Sequence, residues 1–302
     1  MRIGFIGAGK TGFSLGKYFA DGGKHDVCTV APKARLRAAG VTVTGYYSLH
    51  EDSAREAAEF TGSRHYCTVD ELLKESDAVF LTVPDRAIGS VYSELTNYDI
   101  TGRQICHCSG AMTAAEAFPD IRRHGAYGYS IHPLFPFGSK TESYGKMAGA
   151  FFCIEGDSEH LSKWQDILER FGFRVQIIDG AKKAQYHAAC AISSNLICAL
   201  VSESIELLTN CGFTRDTALE ALSPLIRRNT ENILQYGPTE ALTGAVERCD
   251  TETVKKHLNC FKTDKERELY RAVSENLIDV ARAKNPQTDY AELEKILTGG
   301  SS

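Results

Sequence analysis

The hexapeptide Gly7-Ala8-Gly9-Lys10-Thr11-Gly12 follows the β-branched run Arg2–Ile6 and opens a helical pattern through Leu15, Tyr18 and Phe19. Between a strand and a helix, each glycine of such a G-x-G-x-x-G loop has a task. Gly7 makes the tight turn, Gly9 lets the backbone approach a pyrophosphate, and Gly12 lets helix and strand pack closely. With Ala8, Lys10 and Thr11 between them, the loop offers the free N–H groups of a helix start to phosphates. A second set of residues lies far along the chain. On one continuous helix starting near Ala181, Lys183 and His187 are four residues apart. Ser194 falls within about 40° of both, and Asn195 sits at the edge of the stripe. Hydride transfer to C=O or C=N leaves charge on oxygen or needs a protonated nitrogen. Either requires a proton donor near neutral pKa, which points first to His187, and to Lys183 if desolvation lowers its pKa. The plainer reading of the same stripe is a hydrogen-bonded structural histidine and a solvated first turn.

Strand tips add further candidates. Thr82-Val83-Pro84-Asp85 and Ser109-Gly110 close two apolar strands, and ligands of doubly wound sheets bind outside the carboxyl ends of strands. Val83, Pro84 and Asp85 are therefore expected at the cofactor and Ser109 near the substrate; Pro84-Asp85 also reads as a turn and helix cap. His107 and His132 stand at tips or loops of the same half. The second strand ends Tyr46-Tyr47-Ser48-Leu49-His50, without the acid that usually binds a ribose 2′-hydroxyl. That favours NADP, with Ser48 and His50 as donors to a 2′-phosphate. No clear arginine accompanies them, and NAD stays open.

The elements that must position these residues alternate strand and helix. Strands are expected at Arg2–Ile6, Val41–Tyr47, Ala78–Val83, Gln104–Cys108, Ala150–Ile154 and Arg174–Ile178, and helices at Asp52–Phe60, Val69–Lys74, Arg86–Leu95 and His160–Phe171. Such repeats make an α/β, doubly wound parallel sheet. Lys24–Gly40 reads as an insertion, although its Val27–Val30 competes for the second strand position. After Asp179 the pattern turns all-helical. One long apolar helix is expected over Ala181–Asn210, then Asp216–Gln235 interrupted by Pro224, a loop Tyr236–Gly244, and helices near Thr251–Leu258, Lys265–Lys284 and Tyr290–Leu297. The expected division is residues 1–179, residues 180–298 and a flexible tail 299–302.

Composition limits the function classes. The 302 residues are 43% hydrophobic and 24% charged, with 26 Gly and 8 Pro, which excludes a disordered or collagen-like chain. The 34 Lys+Arg against 39 Asp+Glu give a net charge of −5, without the basic footprint of a nucleic-acid binder. No stretch is expected to reach the roughly 20 apolar residues of a membrane span. A strand and glycine loop occupy the place of a signal peptide, so a cytoplasmic protein is expected. The ten cysteines are scattered and mostly in apolar runs, as buried thiols are. Cys106-His107-Cys108 lacks a second ligand pair and its neighbours alternate faces, so no metal is expected.

The loop Gly7–Gly12, the tips Val83-Pro84-Asp85 and His107-Cys108-Ser109-Gly110, and Ser130-Ile131-His132-Pro133 resemble one bacterial family. So do Tyr186-His187-Ala188-Ala189, Ser194-Asn195, and Leu242-Thr243-Gly244 with Arg248 and Asp250. It is the family of Rossmann-like proteins with a C-terminal domain of unknown function, labelled NADP oxidoreductases. The resemblance covers the chain except Lys24–Gly40. It departs at Ala245 and Cys249, where the family usually shows Pro and Gly. More distantly the chain resembles pyrroline-5-carboxylate reductases, ketopantoate reductases and β-hydroxyacid dehydrogenases. That implies a helical domain similar to the C-terminal domain of 6-phosphogluconate dehydrogenase, and an asparagine, here Asn195, that orients substrate. His132-Pro133 is similar to a substrate-contacting element of prephenate dehydrogenases. The expectation is an NADP-dependent oxidoreductase acting in an interdomain cleft on a small polar carbonyl, imine or hydroxy compound. His187, Asn195 and Lys183 would be catalytic, with Ser109, His132 and Ser194 on the substrate. A non-catalytic NADP(H) sensor or scaffold is the alternative. The all-round apolar 181–210 stretch is buried by its own domain or by a second subunit, which makes a homodimer through the helical domain the expected assembly.

Overall fold

The computed structural model describes residues 1–23 and 40–299. The Lys24–Gly40 insertion, with Val27–Val30, lies outside the described residues apart from Gly40, and so do residues 300–302 of the expected tail. Two compact units divide at Ser193–Ser194, beyond the expected boundary at residues 179–182.

In the first unit the chain runs β1 (Arg2–Ile6), α1 (Lys10–Ala20), β2 (Thr42–Tyr47), α2 (Glu51–Thr61), β3 (Arg64–His65), α3 (Val69–Glu75), β4 (Ala78–Leu81) and α4 (Asp85–Leu95). It continues through β5 (Gln104–His107), α5 (Ala114–Ala117), β6 (Tyr127–Leu134), β7 (Phe151–Gly156), α6 (Leu161–Arg170), β8 (Arg174–Ile177) and α7 (Lys183–Ile192). The sheet order is β3-β2-β1-β4-β5-β6-β7-β8. Neighbouring strands are parallel except β6 and β7. Successive strand residues feed two cores. Ile3, Phe5, Ala78, Phe80 and Cys106 join Phe13, Phe19, Ala54, Ala57 and Trp164 in one. Ile6, Val79, Leu81 and Ile105 join Leu72, Ile88, Tyr92 and Phe118 in the other. Alternation between faces is the strand period of two, and helices on both faces make the sheet doubly wound. The second strand is Thr42–Tyr47, as expected.

Two strands escaped the sequence reading. β3 is only two residues long. β6 carries Gly128 and Pro133, which weaken a strand pattern. Pairing explains Pro133: β5 accompanies β6 only as far as Ser130, while β7 pairs with it to Leu134. The last four residues of β6 therefore overshoot β5, where a missing N–H is tolerated on the open side.

The second unit contains α8 (Asn195–Asn210), α9 (Arg215–Ala241), α10 (Thr251–Cys260), α11 (Asp264–Lys284) and α12 (Ala291–Thr298). Val254, Leu258, Ile278, Tyr290, Leu293 and Leu297 form its core. Three expectations change here. The 181–210 helix is two helices, because Ser194 takes φ −130° and ψ −77° between them. Ser193 Oγ donates back to the Ala189 carbonyl at 2.9 Å, and a Ser-Ser-Asn run offers the backbone just such competing bonds. Pro224 is held inside α9, and the expected loop from Tyr236 is reduced to a kink at Gly237 (φ 83°, ψ 163°), where α9 breaks into two helical pieces, the second ending at Ala241 before the chain leaves the helix at Leu242. Finally, Gly180–Asn210 holds an 18-residue window with a mean hydropathy of 1.5, enough for a membrane span by length and composition alone, but the break at Ser194 divides the stretch, and one such segment is not enough for a span. Cys249 has φ 54°, a left-handed conformation that a glycine takes freely, so the departure at this position places a side chain on a turn built for none.

The loop glycines differ in what surrounds them. Gly7 has φ 98° and its added Cβ would lie 2.8 Å from the Thr82 carbonyl oxygen; at Gly12 it would meet Thr82 Oγ1 at 2.5 Å. At Gly9 the nearest atom is 3.8 Å away. Gly12→Ala is expected to cost about 1–3 kcal/mol by overpacking, while Gly9→Ala leaves stability within about 0.5 kcal/mol. Denaturant unfolding of both variants checks the contrast.

Candidate active site

Strand order reverses between β1 and β4, and the crevice at such a switch point is where a doubly wound sheet binds its ligand. Gly7 N donates to the Tyr47 carbonyl at 2.8 Å, and Thr82 Oγ1 donates to the Gly7 carbonyl at 2.8 Å. The loop is thereby tied to the ends of β2 and β4. A cavity of about 380 Å³ opens there, lined by Gly7, Ala8, Gly9, Ser48, His50, Val83 and Pro84 among others. Lys10 and Thr11 are the first two residues of α1. Ser48 Oγ accepts from the His50 N–H at 3.2 Å. Gly9 is exposed, and an added Cβ there would meet only the Thr82 carbonyl oxygen, at 3.8 Å, so the residues present fit a dinucleotide pyrophosphate.

A second cluster gathers at the tip of β5. Ser109 is buried, and its hydroxyl donates to Asp85 Oδ2 at 2.6 Å while accepting from Met112 N. This bond links the β4 tip to the β5 tip. Over Gly110 stand two imidazoles: an added Cβ there would lie 2.5 Å from His187 Cδ2 and 2.9 Å from His132 Nε2. The overshoot of β6 carries His132 to this place, and its Nδ1 is 2.6 Å from the Tyr186 hydroxyl. Ring centres of His132 and His187 are 6.3 Å apart.

Beneath them, Lys183 is 1% exposed. Its ammonium donates to Ser130 Oγ and lies 3.3 Å from Glu155 Oε1, which also accepts from Ala114 N at 2.9 Å. The expected first-turn or donor cation is thus committed to a buried pair. Spacing on α7 explains the grouping, since Lys183, Tyr186 and His187 are related as i, i+3 and i+4. Ser194 and Asn195 are exposed, and Ser194 Oγ donates to Asn195 Oδ1 at 2.9 Å. The helix break before them ends the 100°-per-residue stripe that joined them to His187. Tyr186, Ser130 and Glu155 were not singled out for a role in the sequence. A tyrosine one residue before a candidate histidine was the available signal for the first.

Electrostatics separate the groups. Burial, then the charges of Lys183 and His187, lowers His132 to about 4, and burial lowers His107 to about 3, so both are neutral near pH 7. Burial also lowers Lys183, against the pull of Glu155, and raises the Tyr186 hydroxyl. The Cys108 thiol is pushed up to about 12 by burial. Elsewhere, Glu51, His65 and Cys67 bring ligand-type atoms within 4.8 Å of one another, but Glu51 is already paired with Arg55 at the surface.

The family model described as "NADP oxidoreductase coenzyme F420-dependent" matches residues 2–106, and the domain of unknown function DUF2520 matches residues 150–277. No curated protein matches the sequence. Among solved structures, protein TM1727 from Thermotoga maritima is 26% identical, with a TM-score of 0.71 over 93% of this chain and 99% of its own. The 1-pyrroline-5-carboxylate reductase of Streptococcus pyogenes is 15% identical, with a TM-score of 0.58 over 94% and 98%. A reductive aminase from Aspergillus terreus, solved with NADPH and ethyl-5-oxohexanoate, is 13% identical, with a TM-score of 0.55 over 99% and 92%. At the last two identities the likeness is one of fold.

A histidine with a lower pKa folded than unfolded binds fewer protons folded, so stability is lost as pH falls. With His132 near 4 and His107 near 3 against an ordinary 6.5, thermal stability should fall from about pH 6.5 downward and keep falling toward pH 4. His132→Gln should make the fall shallower. A melting temperature that holds level between about pH 7 and 5 would refute the assignment of both rings as buried and neutral.

Proposed function

We propose, from the premise that this chain joins a nucleotide-binding domain of the NADP oxidoreductases to a DUF2520 domain, that it moves a hydride between NADP(H) and a small polar carbonyl, imine or hydroxy compound, with His187 as proton donor. The observation that carries this reading is the pair of imidazoles over Gly110, at a β5 tip that the Ser109–Asp85 bond ties to the β4 tip bordering the glycine-loop cavity. Reductases of C=N bonds among the solved structures with this fold support the substrate class.

The dinucleotide, when bound, supplies the hydride. The chain's own residues do the rest. Backbone N–H groups at Ala8–Thr11 would hold the pyrophosphate, with Val83 and Pro84 lining the same cavity and Asp85 after them bonded to Ser109 at the β5 tip. His187, half-buried on α7, gives a proton to the oxygen or nitrogen that becomes basic as hydride arrives. His132 stays neutral. A Tyr186 O–H donating to its Nδ1 leaves Nε2–H as a fixed donor toward the substrate. Ser109, fixed by Asp85, completes the polar floor. Lys183 acts indirectly, by holding α7 in place.

A homodimer through the helical unit belongs to the same reading. None of the residues of α8 is buried, and Leu196, Ile197 and Leu200 lie open on it. A second copy presenting the same apolar surface is the occupant with matching chemistry. The proposed compartment is the cytoplasm, where thiols such as Cys106 and Cys153 stay reduced.

His187→Ala should cut turnover on the best substrate by roughly 10²–10⁴-fold with NADPH affinity nearly unchanged. Stopped-flow hydride transfer and NADPH titration on one preparation check it, and full activity in the variant would transfer the donor role to another residue. Light scattering at micromolar concentration should give twice the mass of one chain, and Leu196→Glu with Leu200→Glu should halve it.

A further inference from the structure

The tip of β2 offers Ser48 and His50 to a ribose phosphate but no permanent cation. The structure supplies one from elsewhere. Lys140, between β6 and β7, lines the same cavity as Gly9, Ser48, His50 and Ser53. Its Nζ lies 3.2 Å from Glu56 Oε2 and 4.8 Å from the centre of the Phe13 ring. Glu56 follows Ser53 by three residues, so the ammonium stands about one helical turn from the cavity-lining start of α2. Phe13 is in the first turn of α1, where its N–H donates to the Gly9 carbonyl at 3.0 Å. The cation is therefore held between the starts of the two helices that flank the β1 and β2 tips. With its side chain 37% exposed, the stem is packed and the head can be reached. Cavity chemistry is divided as well. Val69, Ala87, Val91 and Leu95 give it a largely apolar wall suited to a base, broken by Glu94, while Ser48, His50, Ser53 and Lys140 line it with groups that can donate to a phosphate.

We infer that Lys140 is the residue that selects a 2′-phosphate, making it the determinant of NADP(H) over NAD(H), with Glu56 as the counter-ion that keeps the ammonium at the cavity. This rests on the NADP reading above. A phosphate near two negative charges outcompetes a single carboxylate for one ammonium, so the ion pair with Glu56 yields on binding. Lysine serves here as a point charge and needs no fork geometry.

Binding of NADPH, NADH, adenosine 2′,5′-bisphosphate and 5′-AMP to the whole protein, measured by calorimetry, tests the inference without any turnover. In Lys140→Ala the dissociation constants for NADPH and the bisphosphate should rise about tenfold, while those for NADH and 5′-AMP change by less than about twofold. Lys140→Arg should keep the preference, and Glu56→Gln should tighten NADPH. The preference of the parent protein should shrink as salt rises, and that dependence should weaken in Lys140→Ala. Unchanged melting temperatures establish that the variants are folded. Equal loss for both dinucleotides in Lys140→Ala, or no loss for either, overturns the role of Lys140. A parent protein that binds NADH as well as NADPH overturns it too, while leaving the dinucleotide site standing. Binding of neither dinucleotide to the parent overturns the cofactor reading along with it.

Discussion

A buried ammonium fixes the chemistry end of the first unit. Lys183 lies under β6 and β7 at 1% exposure, held by Ser130 of one strand and Glu155 of the other. Removing one partner of such a pair strands a charge in a poor solvent, which typically costs about 3–5 kcal/mol. The pair is therefore a geometric commitment, whatever its net worth against an apolar alternative. Because Tyr186 and His187 follow at i+3 and i+4, docking Lys183 turns them toward the sheet. The same contact explains why the first compact unit runs on to Ser193: α7 belongs to the sheet that its first residue enters.

The other half of the positioning is done by strand length. β5 stops at His107, and β6 continues to Leu134 on β7 alone, so His132 hangs beyond the parallel tips and over Gly110. Gly110 has to be small for that reason. A side chain would enter the space of both imidazoles. The glycine loop shows the complementary case. Gly7 and Gly12 are small because protein atoms crowd them, whereas at Gly9 an added Cβ would make no more than ordinary contact, 3.8 Å from the Thr82 carbonyl oxygen.

Much of this was legible in the sequence, and the failures have physical causes. The loop, the second strand at Thr42–Tyr47 and the tips at Val83–Asp85 and Ser109–Gly110 are local patterns, and each lies where its pattern puts it. β6 was missed because Gly128 and Pro133 hide a strand whose pairing is half open. The break at Ser193–Ser194 was missed because only Gly and Pro were weighed as interruptions, while serine hydroxyls also compete for helix carbonyls. Lys183 reads from the sequence as a candidate proton donor or a solvated first turn, and its buried pairing was hidden because nothing in its neighbourhood announces Glu155. Lys140 was out of reach for the same reason: its meeting with Ser48 and His50 spans some ninety residues and exists only in the fold.

The apolar stretch 180–210 shows how one pattern supports several structures. Its hydropathy fits a membrane span, a core helix and an interface equally well. Length and interruption separate them. The uninterrupted part, α8, has 16 residues and so is about 24 Å long, short of the roughly 30 Å of a bilayer core. It also carries Glu203 and Glu206, the second paired with Arg215. A core helix would be covered by its own unit, yet α8 has no buried residue there. What is left is an exposed face, apolar where Leu196, Ile197 and Leu200 stand and charged toward its end. That gradation is what the second copy proposed above, presenting the same face, would match and a uniform lipid layer would not.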